Sequence, residues 1–197
     1  MKNLNILALI AILQILVLDC KATTSTSNKT FTVNTWSGAW TFTGFAIGPS
    51  SGEYYNLLST SVEGQCALIK ETASGNVTWS KLYATDECAG LSVDSTETYV
   101  YFASNNQASY LGVNQVSCST GENTNYFTDT LAKISSGGIV NIDAKNNPGH
   151  VVLGGNLIDT GSADCIISWD VSGNGYTYSC ASTASKYFGA FAIPSGY

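Results

Sequence analysis

Ala67-Leu68-Ile69-Lys70-Glu71-Thr72-Ala73-Ser74-Gly75-Asn76-Val77 is the stretch whose reading decides the fold. It runs as an apolar strand, a small-residue turn ending in glycine, and the start of a second strand, which is the pattern of a β-hairpin. Two later segments follow the same plan. Thr130-Leu131-Ala132-Lys133-Ile134-Ser135-Ser136-Gly137-Gly138-Ile139-Val140 is one, and Cys165-Ile166-Ile167-Ser168-Trp169-Asp170-Val171-Ser172-Gly173-Asn174-Gly175 is the other.

With Gly75, Gly138 and Gly173 taken as equivalent, the intervals are 63 and 35 residues, with a mean of 49. Repeating sheets of the propeller kind recur about every 40 to 50 residues. The longer interval is read as holding a polar insertion, Ser104 to Asn125, forming an extended loop. A second element also repeats: Phe45-Ala46-Ile47-Gly48-Pro49-Ser50-Ser51-Gly52-Glu53-Tyr54 returns, shortened, as Phe191-Ala192-Ile193-Pro194-Ser195-Gly196-Tyr197. On this reading a fourth unit begins where the sequence stops, with an unpaired edge that complete domains avoid.

Outward from these hairpins, short apolar bursts flanked by turn residues predict further strands. They are Tyr54 to Leu58, Val77 to Tyr83, Thr98 to Ala103, Ile139 to Ile142 and His150 to Leu153. Beyond the first residues no segment sustains a helical period. The spacing of Tyr54 before Leu68-Ile69-Lys70, and the run Gly75-Asn76-Val77-Thr78-Trp79-Ser80-Lys81, resemble the repeat of secreted and surface seven-bladed β-propellers. The second unit keeps Lys133 but lacks the tryptophan, and the third has Ser168 in place of the lysine. The resemblance implies an all-β, β-propeller-like fold of stacked four-stranded antiparallel blades, about three complete units with a truncated fourth. It implies no catalytic residues.

Hairpin arithmetic gives specific partners. With the turn at Ser172-Gly173, Cys165 faces Cys180, Ile167 faces Tyr178 and Trp169 faces Tyr176, all on one side of the sheet. Opposed Cα atoms about 4.5 to 5.5 Å apart suit a disulfide, so a Cys165–Cys180 bond is expected. In the first hairpin Lys70 falls opposite Trp79 and Leu68 opposite Lys81, pairs in which lysine stems cover aromatic or apolar surface.

Met1-Lys2-Asn3 and the apolar run Leu4 to Leu18 have the form of a secretory signal peptide, with cleavage expected after Ala22. A retained membrane anchor is the competing reading, weakened by Asn5 and Gln14 within the run. The expected organisation is therefore a signal peptide at 1–22, a flexible polar start at 23–30 and a partial propeller domain at 31–197. Five cysteines follow the leader, Cys66, Cys88, Cys118, Cys165 and Cys180, without a C-x-x-C motif. Disulfides are favoured over zinc in a secreted setting, and the odd count leaves one thiol for a partner outside the chain. Asn28 and Asn76 head the sequons Asn28-Lys29-Thr30 and Asn76-Val77-Thr78 and are the expected glycosylation sites.

The chain carries 8 basic and 14 acidic residues, for a net charge of −6, and every basic residue is a lysine. Without arginine or a basic patch, nucleic acid is not an expected partner, and neither is membrane insertion once the leader is removed. One histidine, His150, leaves no multi-histidine metal site and only a single candidate for a triad. Asp170-Val171-Ser172-Gly173-Asn174-Gly175 imitates the start of a calcium loop, but position twelve falls on Ala181, so a hairpin turn is the better reading. Asp86-Glu87 and Asp159 with Asp164 are the acids available to a glycan hydrolase. No catalytic, cofactor-binding or metal-ligating residue is assigned.

The resulting expectation is a secreted or cell-surface binding or adhesion module, non-enzymatic, that holds a glycan or a protein on loops at one end of the sheets. The alternatives are a glycan-acting hydrolase using loop carboxylates, and a structural surface protein crosslinked through its odd cysteine.

Overall fold

The computed structural model describes residues 39–60, 64–105, 110–128, 132–134, 140–145, 149–155, 157–159, 165–172 and 175–180. Among them the regular structure is entirely β, and no helix is long and apolar enough to cross a membrane. The leader, the polar start, Asn28 and the Phe191–Tyr197 repeat lie outside the described residues.

The strands form three antiparallel four-stranded sheets. The first is a meander of β1 (Thr41–Ile47), β2 (Tyr54–Thr60), β3 (Gln65–Glu71) and β4 (Val77–Ala84). The second repeats that order with β5 (Cys88–Val93), β6 (Tyr99–Asn105), β7 (Leu111–Ser117) and β8 (Asn123–Thr128). Beyond it come β9 (Ala132–Ile134), β10 (Val140–Asp143), β11 (His150–Gly155), β12 (Leu157–Asp159), β13 (Cys165–Asp170) and β14 (Tyr176–Cys180). The third sheet takes the order β10-β11-β13-β14, while β9 and β12 pair as a separate ribbon.

Strand alternation sends successive side chains to opposite faces, and in the second sheet both faces are apolar. Val100 and Phe102 of β6 join Val93 and Val116 in one core against Tyr55, Leu57 and Leu68 of the first sheet. Tyr101 and Ala103, the alternate residues, join Val113 and Phe127 in a second core against Ile142, Leu153, Ile167 and Trp169 of the third. Phe102 is fully buried, which contributes about 1.5–3 kcal/mol relative to exposure.

Contact between sheets follows one rule. β5 packs against β1 and β2, and β10 packs against β5 and β6, so each sheet's first strand lies over the first two strands of the sheet before it. Two glycines permit this. A Cβ on Gly44 would lie 3.0 Å from the Leu91 Cβ, and one on Gly90 would lie 2.7 Å from the Val140 carbonyl oxygen. Gly90 also has φ +67°, in the left-handed region that other residues enter only at a cost.

Every register expected from the two hairpins is present in the backbone. Lys70 pairs with Trp79 and Leu68 with Lys81, and Cys165 pairs with Cys180, Ile167 with Tyr178 and Trp169 with Tyr176.

Two expectations are corrected. Ser104 to Asn125 is not an extended loop: it contains the end of β6, all of β7 and the start of β8. The polar residues that suggested a loop are strand residues whose hydrogen bonds are met in place. Asn114 donates to the Ser104 hydroxyl at 2.8 Å, and Gln115 donates to the Tyr101 hydroxyl at 2.9 Å. Nor is Thr130–Val140 a hairpin. Its described residues divide between β9, which pairs with β12, and β10, which pairs with β11. The hairpin matching that of Gly75 (φ +81°) is β7–β8, with Gly121 (φ +71°) in its turn, while Gly138 lies outside the described residues.

Candidate functional site

The turns joining β1 to β2, β3 to β4, β5 to β6 and β7 to β8 follow from the meander order, which brings them to one end of the first two sheets. There the sheets are clasped together by side chains. Lys70, only 7% exposed, lies at the end of β3. Its Nζ donates to the Cys118 carbonyl at 3.0 Å, pairs with Glu53 Oε2 at 2.7 Å and lies 5.7 Å from the centroid of the Tyr55 ring. The Trp79 indole N–H, on the neighbouring strand, donates to the same Cys118 carbonyl at 3.0 Å. The Tyr83 hydroxyl reaches the Gly121 carbonyl at 2.8 Å, and Lys81 pairs with Glu122.

The reverse clasp comes from Glu97, in the turn after β5. Its Oε1 accepts the backbone N–H groups of Ser50 and Ser51. Burial opposes ionisation of this carboxyl, but donation by Ser51 and Ser50 and the charge on Lys70 outweigh it, so its pKa falls below the ordinary value.

Position by position, the junction of the second and third sheets differs. Lys70 is the register partner of Tyr55 and Trp79. The corresponding residue beside Tyr101 in the second sheet is Gln115, whose partner on β8 is Asn125. Gln115 is held within its own sheet by Tyr101 and by the Thr124 hydroxyl, which donates to its Oε1 at 3.2 Å. Where Trp79 closes the first junction, Asn125 leaves the second open as a cleft of about 250 Å3. Asn125, Tyr126, Phe127 and Thr128 line it from β8, and Trp169, Asp170 and Gly175 line it from the β13–β14 hairpin. Phe127 and Trp169 belong to the underlying core and form an apolar floor.

Polar groups border that floor. Asn125 Oδ1 accepts the Tyr126 backbone N–H at 2.9 Å, which leaves the carboxamide NH2 to act as a donor. Asp170 Oδ1 accepts from the Ser172 N–H at 2.8 Å and from the Ser172 hydroxyl at 2.6 Å, and the Asp170 N–H donates to the Gly175 carbonyl. This is the local carboxylate-to-backbone bonding of a turn, in keeping with the hairpin reading of the calcium-like sequence.

The remaining sequence candidates are dispersed. Glu87 Oε2 accepts from Asn105 Nδ2 at 3.3 Å, and Asp86 donates its N–H to the Asn105 carbonyl. Both acids therefore anchor the β4–β5 connection to the end of β6. Asp164 and the Asp159 side chain lie outside the described residues. His150 begins β11 and pairs in register with Asp170. Among the described residues no cluster of three or more His, Cys, Asp or Glu forms a metal site. Asn76 is exposed in the β3–β4 turn, and Thr78 is exposed too.

One cysteine pair joins two sheets. Cys66 of β3 and Cys88 of β5 form a disulfide pair with Cα atoms 6.1 Å apart, joining the first sheet to the second. Neither hairpin arithmetic nor local spacing reveals a partner in another sheet. Cys165 faces Cys180 at backbone level, and the Cys180 side chain lies outside the described residues. Among the described residues the free thiol is Cys118, 3% exposed, and burial pushes its pKa up to about 11.

No protein-family model matches the chain, and no curated protein matches it at a significant level.

Proposed function

We propose that this chain is an extracellular binding module in which the three sheets act as successive propeller-type blades and the cleft between the second and third receives a glycan or protein ligand. The observation that carries the ligand reading is the cleft itself: a concave, apolar floor bordered by a few convergent polar groups is the usual form of a binding site. The blade reading is supported by the repeated placement of β5 over β1 and β2 and of β10 over β5 and β6.

An oxidising compartment agrees with the Cys66–Cys88 pair and with the leader-like start. Crosslinking through the odd cysteine is disfavoured, because the buried, protonated Cys118 thiol is a poor nucleophile.

The test is to express the full chain with its own leader in a secreting host, sequence the N-terminus of protein recovered from the medium, and probe that protein on glycan and extracellular-protein arrays. Material beginning at Thr23 that binds a defined set of ligands supports the proposal. Retention in the cell membrane, or a blank on both arrays, overturns it.

A further inference from the structure

We propose that the outer face of the first sheet is a self-association surface, by which two copies of this chain pack face to face about a two-fold axis. The surface extends the sheet packing of the fold and does not depend on the cleft. Cross-strand partners share a face, so the registers assign residues to it line by line. Phe42, Leu58, Ala67 and Leu82 form one line, and Ile47, Tyr54, Glu71 and Val77 form another. Between them Phe45 pairs with Asn56. Five of the six exposed large apolar residues among the described ones, Phe42, Phe45, Ile47, Val77 and Leu82, therefore lie on this single face. The second sheet shows the same positions when covered. Ala46 pairs with Tyr55 and Ser92 with Tyr101, so Leu91 and Val93, which flank Ser92, correspond to Phe45 and Ile47. Leu91 and Val93 pack on the first sheet and are 8% and 3% exposed, whereas Phe45 and Ile47 are 48% and 52% exposed. An antiparallel sheet with a solvated face ordinarily carries polar residues on it, and an apolar cluster there marks a contact surface.

The occupant follows by elimination. Surfaces that accept such rows within the chain are filled: Tyr55 and Leu57 pack with Leu91 and Val93, Tyr101 and Ala103 pack with Ile142, and Val152, on the other face of the third sheet, is buried. Among the described residues the apolar surface left to offer is this same face on a second copy. Contact of a patch with its own counterpart is isologous and closes as a dimer. Charge permits it although the chain carries −6. Glu71 is the one charged side chain that the registers of β1 to β4 assign to this face, and it is buried and accepts from Asn56 Nδ2 at 2.8 Å. Ala67 and Ile69 on β3 are buried too, so the exposed row on β1 makes the contact nearest the axis. Four strands about 4.8 Å apart, each of about seven residues rising about 3.4 Å, span at most about 19 by 24 Å. That extent belongs with small, reversible interfaces, below about 1,200 Å2 in total.

The test is sedimentation velocity of the secreted protein from low to high micromolar concentration, with two charge variants. Reversible doubling of mass is expected for the wild type. Phe45→Glu and Ile47→Lys are each expected to weaken the dimer at least tenfold, and an equimolar mixture of the two to restore a heterodimer, because opposed rows then carry opposite charges. Tyr110→Ser, exposed away from this face, leaves the dimer unchanged. Where a variant fails to fold, amide exchange of the wild type decides: exchange at Thr41–Ile47 is expected to slow as concentration rises. A wild type that stays monomeric throughout overturns the proposal, as does a dimer undiminished in Phe45→Glu or concentration-dependent protection confined to other strands. Array binding by strictly monomeric protein overturns it too, and leaves the binding reading in place.

Discussion

Lys70 Nζ and the Cys118 carbonyl oxygen are 3.0 Å apart across the junction of the first two sheets, and the same carbonyl accepts a second hydrogen bond from Trp79. A buried carbonyl with two donors, one of them cationic, holds the β7–β8 turn against the first sheet. Lys70→Met keeps the stem and removes the charge, leaving Glu53 without its cation. We expect a loss of about 1–3 kcal/mol in urea unfolding, and a change below about 0.3 kcal/mol would contradict this clasp.

The Cys118 thiol titrates near 11 in the folded chain because burial disfavours the thiolate. In the unfolded chain a cysteine titrates near about 8.5. Its contribution is therefore intact below about pH 8.5 and is lost as pH rises toward 11, since unfolding then releases a proton. Folded protein at pH 7.5 should react slowly with a thiol-specific reagent and take up one equivalent quickly in denaturant. Cys118→Ala should flatten the alkaline decline in stability.

Reduction of the Cys66–Cys88 pair, or its replacement by Cys66→Ser with Cys88→Ser, is expected to cost about 2–4 kcal/mol. Peptide mapping without reductant should recover Cys66 linked to Cys88 and Cys165 linked to Cys180. A Cys118-containing disulfide in monomeric protein would contradict the assignment.

Gly90→Ala forces a side chain into a left-handed position, 2.7 Å from the Val140 carbonyl oxygen. The backbone conformation alone costs about 1–2 kcal/mol, and the clash adds to it. Thermal unfolding should move down by several degrees and loosen β10, detectable as faster amide exchange at Val140–Asp143.

Asn76 stands exposed in a turn with Thr78 exposed beside it. Expressed in a eukaryotic secretory host, the chain should lose mass on endoglycosidase treatment, and Asn76→Gln should remove one glycan without changing stability. An unmodified Asn76 in such material would remove it from the set of expected sites.

The sequence was most legible where apolar residues and turn glycines lay close together. The Cys165–Cys180 and Ala67–Lys81 segments each contain their own turn and their own alternation, so local arithmetic reaches the pairs seen in the backbone. It failed at Leu111–Ser117, where Asn114 and Gln115 are buried, and at Asn123–Thr128, an edge strand with mostly polar side chains. Burial of an amide is read from its partners, Ser104 and Tyr101 here, and those lie on the neighbouring strand. The cleft was hidden for a related reason. Asn125 falls in a stretch whose polar composition predicts a loop, while Trp169 and Asp170 sit 44 and 45 residues further along the chain, so only the packing of two sheets brings them to one place.

The Cys66–Cys88 bond has a mechanical consequence. Because it spans the first and second sheets, a pulling force or a brief melting cannot part those two while the sulfurs remain bonded. The described contacts between the second and third sheets are packing and hydrogen bonds. Stretched under non-reducing conditions, the assembly should shed its third sheet first and retain a doubly layered remnant whose rupture length grows only after reductant is added.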